Sequence, residues 1–165
     1  MIIVSDTTPV NYLVLIGEID LLEKLYGRII IPQAVANEFH HPKTPLAVQN
    51  WITSPPTWIE IKAATALDPT INLGAGETEA ISLAIELSAD QLLLDERKAR
   101  KLAKARGFTV TGTLNILEYA ALQELIDLPM VIAKLQQTTF RAPADLVQAI
   151  LDRDTQRKLA KQSGS

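Results

Sequence analysis

A chain of 165 residues with 47% hydrophobic content can bury one full α/β core, and it is short for two independent ones. It contains no cysteine, which excludes disulfides, thiolate zinc sites and cysteine nucleophiles. A formal net charge of −3 argues against a protein that coats nucleic acid by bulk charge, so any polyanion contact must come from local basic patches.

The chain opens on Ile2-Ile3-Val4, a β-branched run that ends at Ser5-Asp6. Thr7-Thr8-Pro9 suits a first helical turn, and Val10, Leu13, Val14 and Ile16 predict a short helix closed by Gly17. A second helix is expected from Ile19 to about Leu25, ended by Gly27. Arg28-Ile29-Ile30-Ile31 then reads as a buried strand, with Pro32 opening a helix that carries Val35, Glu38 and Phe39. Four prolines between residues 41 and 58 predict an irregular stretch around one short helix from Leu46 to Ile52, and Trp58 to Ile61 predicts a third strand.

The most informative stretch is Leu73 to Lys104. Gly74 and Gly76 break the chain, and Glu77 and Glu79 open a helix whose apolar positions Ala80, Ile81, Leu83, Ala84 and Leu87 recur at helical spacing. Gln91 to Leu94 reads as a buried strand ending on Asp95, with a further helix from near Glu96. Phe108 to Thr111 predicts another strand, and Thr113 is the expected N-cap of a helix through Leu122. Helices over 129–138 and 143–161 follow, and Arg153, Arg157, Lys158 and Lys161 read as a solvated helix end.

Strands alternating with helices predict a three-layer α/β/α sandwich with a mostly parallel sheet. The expectation is a single domain over residues 1–165, with a core to about 125 and C-terminal helices over about 126–162. No leader-like run and no stretch of roughly 18 apolar residues appears, which points to a cytoplasmic protein with no membrane contact.

Four acids, Asp6, Glu38, Glu77 and Asp95, fall at strand ends or early helix turns, where a parallel sheet gathers ligands along one edge. Carboxylates crowded together stay ionised only beside cations, and oxygen-only ligation selects Mg²⁺ or Mn²⁺ over zinc or copper. Such a site can polarise a phosphodiester and activate water for in-line attack. Each acid also has a plainer role, because a carboxylate in a first helical turn is stabilised by the macrodipole alone. Asp6 stands out because it directly follows a buried strand between two hydroxyls, Ser5 and Thr7, that could orient it. Residues in a helix turn by about 100° each, so Glu77 and Glu79 cannot both face the site; position favours Glu77. Arg97, Lys98, Arg100, Lys101, Lys104 and Arg106 crowd the helix after Asp95, and either grip a phosphate backbone or form a solvated face.

The segments Ile3-Val4-Ser5-Asp6-Thr7-Thr8, Val35-Ala36-Asn37-Glu38-Phe39, Gly74-Ala75-Gly76-Glu77 and Leu93-Leu94-Asp95-Glu96 resemble the acid pattern of PIN-domain nucleases over most of the chain. The group they are most similar to is the VapC-type toxins, and Gly74-Ala75-Gly76-Glu77 and Thr111-Gly112-Thr113-Leu114 look like a small bacterial PIN subgroup. The resemblance implies Mg²⁺- or Mn²⁺-dependent endonucleolytic cleavage of RNA, with Asp6, Glu38, Glu77 and Asp95 as catalytic metal ligands. It further implies an antitoxin protein as partner and a homodimer. Ser5, Thr7, Asn11 and Thr111, with Arg97, Arg100 and Lys101, are the residues expected to touch the substrate or steady the metal ligands. The alternative is a PIN-like scaffold that binds RNA or a protein without cleaving it.

Overall fold

A computed structural model of the protein describes residues 1–164. Contacts gather the chain into two compact units, the first spanning Met1–Thr113 and the second beginning at Leu114.

The first unit holds the whole sheet. Its strands are β1 (Ile3–Ser5), β2 (Ile29–Pro32), β3 (Ile59–Lys62), β4 (Gln91–Leu93) and β5 (Thr109–Thr111), ordered β3-β2-β1-β4-β5. Every pairing is parallel, with Val4 opposite Ile30 on one side of β1 and Ser5 opposite Leu93 on the other. All-parallel sheets need cover on both faces, which is why the strands read as unbroken apolar runs: Ile3, Val4, Ile29, Ile31, Leu92 and Leu93 are all buried. Helices α1 (Thr7–Leu15), α2 (Leu21–Tyr26), α3 (Gln33–Phe39), α4 (Leu46–Thr53), α5 (Ala75–Leu87) and α6 (Arg97–Ala105) fill the connections and make a three-layer α/β/α sandwich.

Helix α5 is the central one. Ala80, Ile81, Leu83 and Ala84 pack with Val4 and Leu92 of the sheet, with Leu94 just past β4, and with Ala99 and Ala103 of α6 in one continuous core. Truncating a fully buried leucine there, such as Leu92, costs about 2–5 kcal/mol in the cavity it leaves. On α6 only Ala99 and Ala103, one turn apart, are buried, so its charged residues face outward or sideways.

Two helix starts differ from expectation. Pro32 closes β2, opposite Lys62, and caps α3 from an extended conformation instead of entering the helix. Its fixed φ fits both roles, and the end of a strand tolerates a missing N–H. Helix α5 begins at Ala75 with Gly74 as its N-cap, so Glu77 is its third residue.

The second unit contains α8 (Leu128–Gln136), α9 (Ala144–Ser163) and all but the first residue of α7 (Thr113–Leu122). Helices α8 and α9 pack together, with Leu128, Val131, Ile132, Leu135 and Ile150 buried. Of the C-terminal cations, Arg153, Lys158 and Lys161 are exposed, as a solvated helix end requires, and each of the four also has an acidic partner. Arg153 grips Glu118 with two bonds of 2.7 and 3.1 Å. The buried Asp154 lies 3.1 Å from Arg157 and 2.8 Å from Lys158, and Lys161 pairs with Glu124. Glu118 and Glu124 lie too far back in the chain for periodicity to announce them, whereas Asp154 pairs at i,i+3 and i,i+4 spacing within α9. Among the described residues no helix is long and apolar enough to cross a membrane.

Candidate active site

Chain order and strand order part company between β1 and β4: from β1 the sheet grows to β2 and β3 on one side, then returns to add β4 and β5 on the other. Open α/β sheets form their binding crevices at the carboxyl ends of strands at such a switch point. Asp6 is the first residue past β1, and its backbone N–H donates to Leu93 O of β4 at 2.9 Å. Asp95 follows Leu93 by two residues.

Asp6 occupies the N-cap position of α1, yet its side chain accepts no capping bond from the helix. The residue is 2% exposed, and its Oδ1 has no hydrogen-bond partner. The pKa of this carboxyl is raised from 3.8 to about 7, mainly by burial; the Thr7 backbone N–H lowers it, and the charges of Glu77, Glu38 and Asp95 add to the rise. Three other acids therefore stand close enough to bear on Asp6. A buried carboxylate with one oxygen unpartnered is costly, so the group either keeps its proton near neutral pH or exchanges it for a cation.

Glu38 lies on α3 and is exposed, with the Thr7 hydroxyl donating to its Oε2 at 2.5 Å. The Thr44 hydroxyl donates to the Glu38 main-chain oxygen at 2.8 Å, which ties the segment after α3 to the same residue. Glu77 folds back over its own helix start. A Cβ at Gly74 would stand 2.5 Å from its Oε2. Gly76 is more telling: a Cβ there would meet Glu38 Oε1 at 2.7 Å, Asp6 Oδ1 at 3.1 Å and Val35 Cγ2 at 3.3 Å. The bare glycine leaves a space into which two carboxylates from different elements both reach.

Asp95 is held from α7. The Thr113 N–H donates to Oδ1 at 2.9 Å and the Thr113 hydroxyl to Oδ2 at 2.5 Å. Burial raises the Asp95 pKa, while the two Thr113 bonds and the nearby Arg100 charge lower it. Thr113 is thus the first residue of α7 and a donor, with Asp95 acting as the cap that the sequence assigned to Thr113. A Cβ at Gly112, the residue before Thr113, would meet Arg100 Nη1 at 2.6 Å and Asp95 Oδ1 at 2.9 Å, so a side chain there would push one or both aside.

Several expected residues are turned to other work. The Ser5 hydroxyl donates to the main-chain oxygen of Asp6 at 3.0 Å, so neither neighbouring hydroxyl bonds the Asp6 carboxylate. The Thr111 hydroxyl accepts from the Gln91 amide on the adjacent strand. Arg100 is half-buried, and its Nη1 donates to Leu94 O at 2.9 Å, which makes it a brace beside Asp95 and not a free cation. Arg97 and Lys101 remain exposed on α6, and Asn11 stands half-buried one turn along α1 from Thr7.

Glu79, the acid kept in reserve for Glu77, faces the other way. It accepts the Ala34 N–H at 2.7 Å and the Ala64 N–H at 3.3 Å, fastening the start of α3 and the segment after β3 to α5. Glu96 caps α6 by accepting the Ala99 N–H at 2.7 Å. Sequence reasoning missed Thr113 as a partner of Asp95 and the two glycines as spacers. Their signal was the pair of short motifs, Gly-Ala-Gly and Thr-Gly-Thr, each set beside an acid.

Among the described residues, no three acid or histidine side chains already meet within reach of one ion. The donors nonetheless suit a hard cation. All four are carboxylates, Asp6 Oδ1 is buried and unpartnered, and Glu38 Oε1 reaches the same space. Mg²⁺ is commonly held by one or two carboxylates and keeps several waters, so two direct ligands with the remaining acids acting through water meet its requirements.

A family model described as a PIN domain, DUF3368, matches residues 2–156 of the chain. Among solved structures the chain is similar to a PilT N-terminus domain protein, SSO1118, from the hyperthermophilic archaeon Sulfolobus solfataricus P2. The identity is 19%, the alignment covers 86% of this chain and 99% of that one, and the TM-score is 0.43. No functionally curated protein matches the chain.

Proposed function

The chain belongs to the PIN-domain family, a nuclease-type fold, and from that premise we propose that it is a metal-dependent endoribonuclease. Asp6, Glu38, Glu77 and Asp95 form its acid centre in this reading. The observation that carries it is the Asp6 carboxylate, buried at the switch point with one oxygen unpartnered and three further acids around it. A protein has little reason to maintain that arrangement unless something positive compensates it.

Mg²⁺ or Mn²⁺, when bound, supplies Lewis-acid polarisation of the phosphodiester and makes water a competent nucleophile near neutral pH. The chain's own residues do the rest. Asp6 and Glu38, whose carboxylates both reach the space beside Gly76, would hold the ion, with Thr7 fixing the rotamer of Glu38. Thr113 locks Asp95 in one orientation, and Arg100 braces the segment that bears it. Arg97, Lys98, Lys101 and Lys104 are exposed and form no ion pair among the described residues. Three of them, 97, 101 and 104, share one face of α6 and grip the RNA backbone beside the acids.

The test is cleavage of single-stranded RNA with Mg²⁺ or Mn²⁺ against EDTA, in the wild type and in Asp6→Asn. Metal-dependent cleavage that Asp6→Asn abolishes, with the variant still folded, supports the reading. The competing reading is a scaffold that binds RNA without cutting it, and it draws on the absence, among the described residues, of three acids already gathered at ligating distance. A scaffold shows no cleavage and no rise in melting temperature with either ion, whereas a true site gains about 2.7 kcal/mol at a hundred times Kd. The finer roles, toxin of a toxin–antitoxin pair and homodimer, rest on the resemblance to VapC-type proteins alone. Growth arrest on induction, relieved by Asp6→Asn, tests the first and sedimentation the second.

A further inference from the structure

A cleft of about 700 Å³ opens beside Glu38, walled by Thr7 and Asn11 of α1, by Ala34, Asn37 and Glu38 of α3, and by the segment from His40 to Thr44. That volume is within the usual range for small-ligand sites, about 300–1,000 Å³, and far exceeds what one ion and its waters occupy.

Most of the lining surface is apolar, and the polar groups set into it are ones that the fold does not consume. The side chains of Asn11, His40 and Lys43 have no hydrogen-bond or ion-pair partner among the described residues. His41 Nδ1 accepts the Lys43 backbone N–H at 3.1 Å, which assigns the ring proton to Nε2 and leaves that N–H free as a donor. Asn37 receives the Gln33 amide on its Oδ1 at 2.9 Å and keeps both of its own N–H donors unspent. Amides therefore stand along the helical walls and a cation with two imidazoles along the loop. The buried Phe39 also lines the cleft, and Thr44, bonded to the Glu38 main chain, fixes the loop to the residue that bears this acid.

Amide groups that both donate and accept match the edge of a nucleobase, and a lysine with histidine N–H donors matches a phosphate. We propose that this cleft is a nucleotide subsite, taking one unpaired base of a single-stranded RNA next to the bond cleaved at the acid centre. The base edge meets Asn11 and Asn37, and the adjoining phosphate meets Lys43, His40 and His41. The choice of a single strand follows from access: a base edge can enter a cleft between two helices only when no complementary strand covers it. The proposal rests on the nuclease reading for its position beside a scissile bond, and its binding chemistry is measured separately.

The experiment uses fluorescently labelled ten-residue homopolymers of A, C and U, and a hairpin duplex, titrated by anisotropy in EDTA over a range of salt. The proteins are the full-length wild type, Asn11→Ala and Lys43→Ala, each checked by thermal unfolding. The wild type is expected to bind at least one homopolymer about tenfold more tightly than the others and all of them above the duplex. Asn11→Ala should flatten that preference, and Lys43→Ala should weaken binding three- to tenfold and reduce the salt slope by about 0.7, the share of one single-strand phosphate. Because Lys43 is exposed, its variant retains the fold and keeps the test decisive. Preference and slope unchanged in both variants overturn the subsite. A wild type that binds as expected yet never cleaves with Mg²⁺ or Mn²⁺ overturns the nuclease reading and leaves the nucleotide site standing.

Discussion

Replacing Asp6 by asparagine separates the chemistry of this centre from its stability. The carboxyl has a folded-state pKa of about 7 against an ordinary 3.8, so the folded protein holds that proton more tightly than the unfolded chain does. Its contribution to stability is fully present below pH 3.8 and is lost as the pH climbs to about 7. At about 1.4 kcal/mol per pH unit that window is worth at most about 4 kcal/mol, and relaxation of the site brings it lower. Asparagine has the same shape and no charge to desolvate, so it removes this pH dependence. In EDTA the two melting curves should coincide near pH 4 and diverge above it, with Asp6→Asn the more stable protein at pH 8. A chain of this size shifts by about 2–4 °C per kcal/mol, so a gap of roughly 4–8 °C is expected if half of the ceiling survives. Asp95 is also raised by burial and is present in both proteins, so only its coupling to the Asp6 charge enters the difference. Adding Mg²⁺ or Mn²⁺ at pH 8 should then raise the wild type and leave the variant unmoved. Differential scanning fluorimetry from pH 4 to 8 reads all of this, and parallel curves across the range would refute the claim that Asp6 is an uncompensated buried acid.

Three more outcomes follow from the same geometry. Gly76→Ala inserts a methyl group between Glu38 Oε1 and Asp6 Oδ1; the roughly 1 kcal/mol gained in helix propensity should offset the crowding, so the melting point stays nearly unchanged while cleavage and metal-induced stabilisation disappear. Thr113→Val deletes the hydroxyl bond to Asp95, which should cost about 1.5–3 kcal/mol in urea unfolding and move the acid limb of the cleavage pH profile upward, because a partner that lowers the Asp95 pKa is gone. Neutralising Arg97, Lys101 and Lys104 together should reduce the salt slope of single-strand binding by about 2 and leave unfolding unaltered; an unchanged slope would make that face of α6 a solvated surface.

The fold was legible where sequence and burial speak the same language. Ile2-Ile3-Val4, Ile29-Ile30-Ile31 and Gln91 to Leu94 are runs that only a strand covered on both faces explains, and their alternation with helices fixes a parallel sheet. Strand order was not legible, because periodicity carries no information about neighbours. The acids were conspicuous because Asp6 and Asp95 directly follow such strands. The small donors around them were not: a hydroxyl bonds whichever acceptor the fold brings near. Ser5 is thus drawn to a main-chain oxygen and Thr111 to Gln91, while Thr113 takes the Asp95 carboxylate. For Glu77 and Glu79, helical rotation says only that the two diverge. The choice depends on Ala34 and Ala64, whose amides claim Glu79 from other parts of the chain.

Because Ser5 and Leu93 are partners across adjacent strands, the spacing between the first and last acids is set by the ladder of the sheet and not by any loop. Surface connections can lengthen, shorten or drift without moving that pair, whereas a slip of one residue between β1 and β4 would swing every side chain of the slipped strand to the opposite face. The packing of the central strand and its β4 neighbour thus serves as the ruler for the chemistry at their ends, and selection for a well-formed core preserves the spacing at no extra cost.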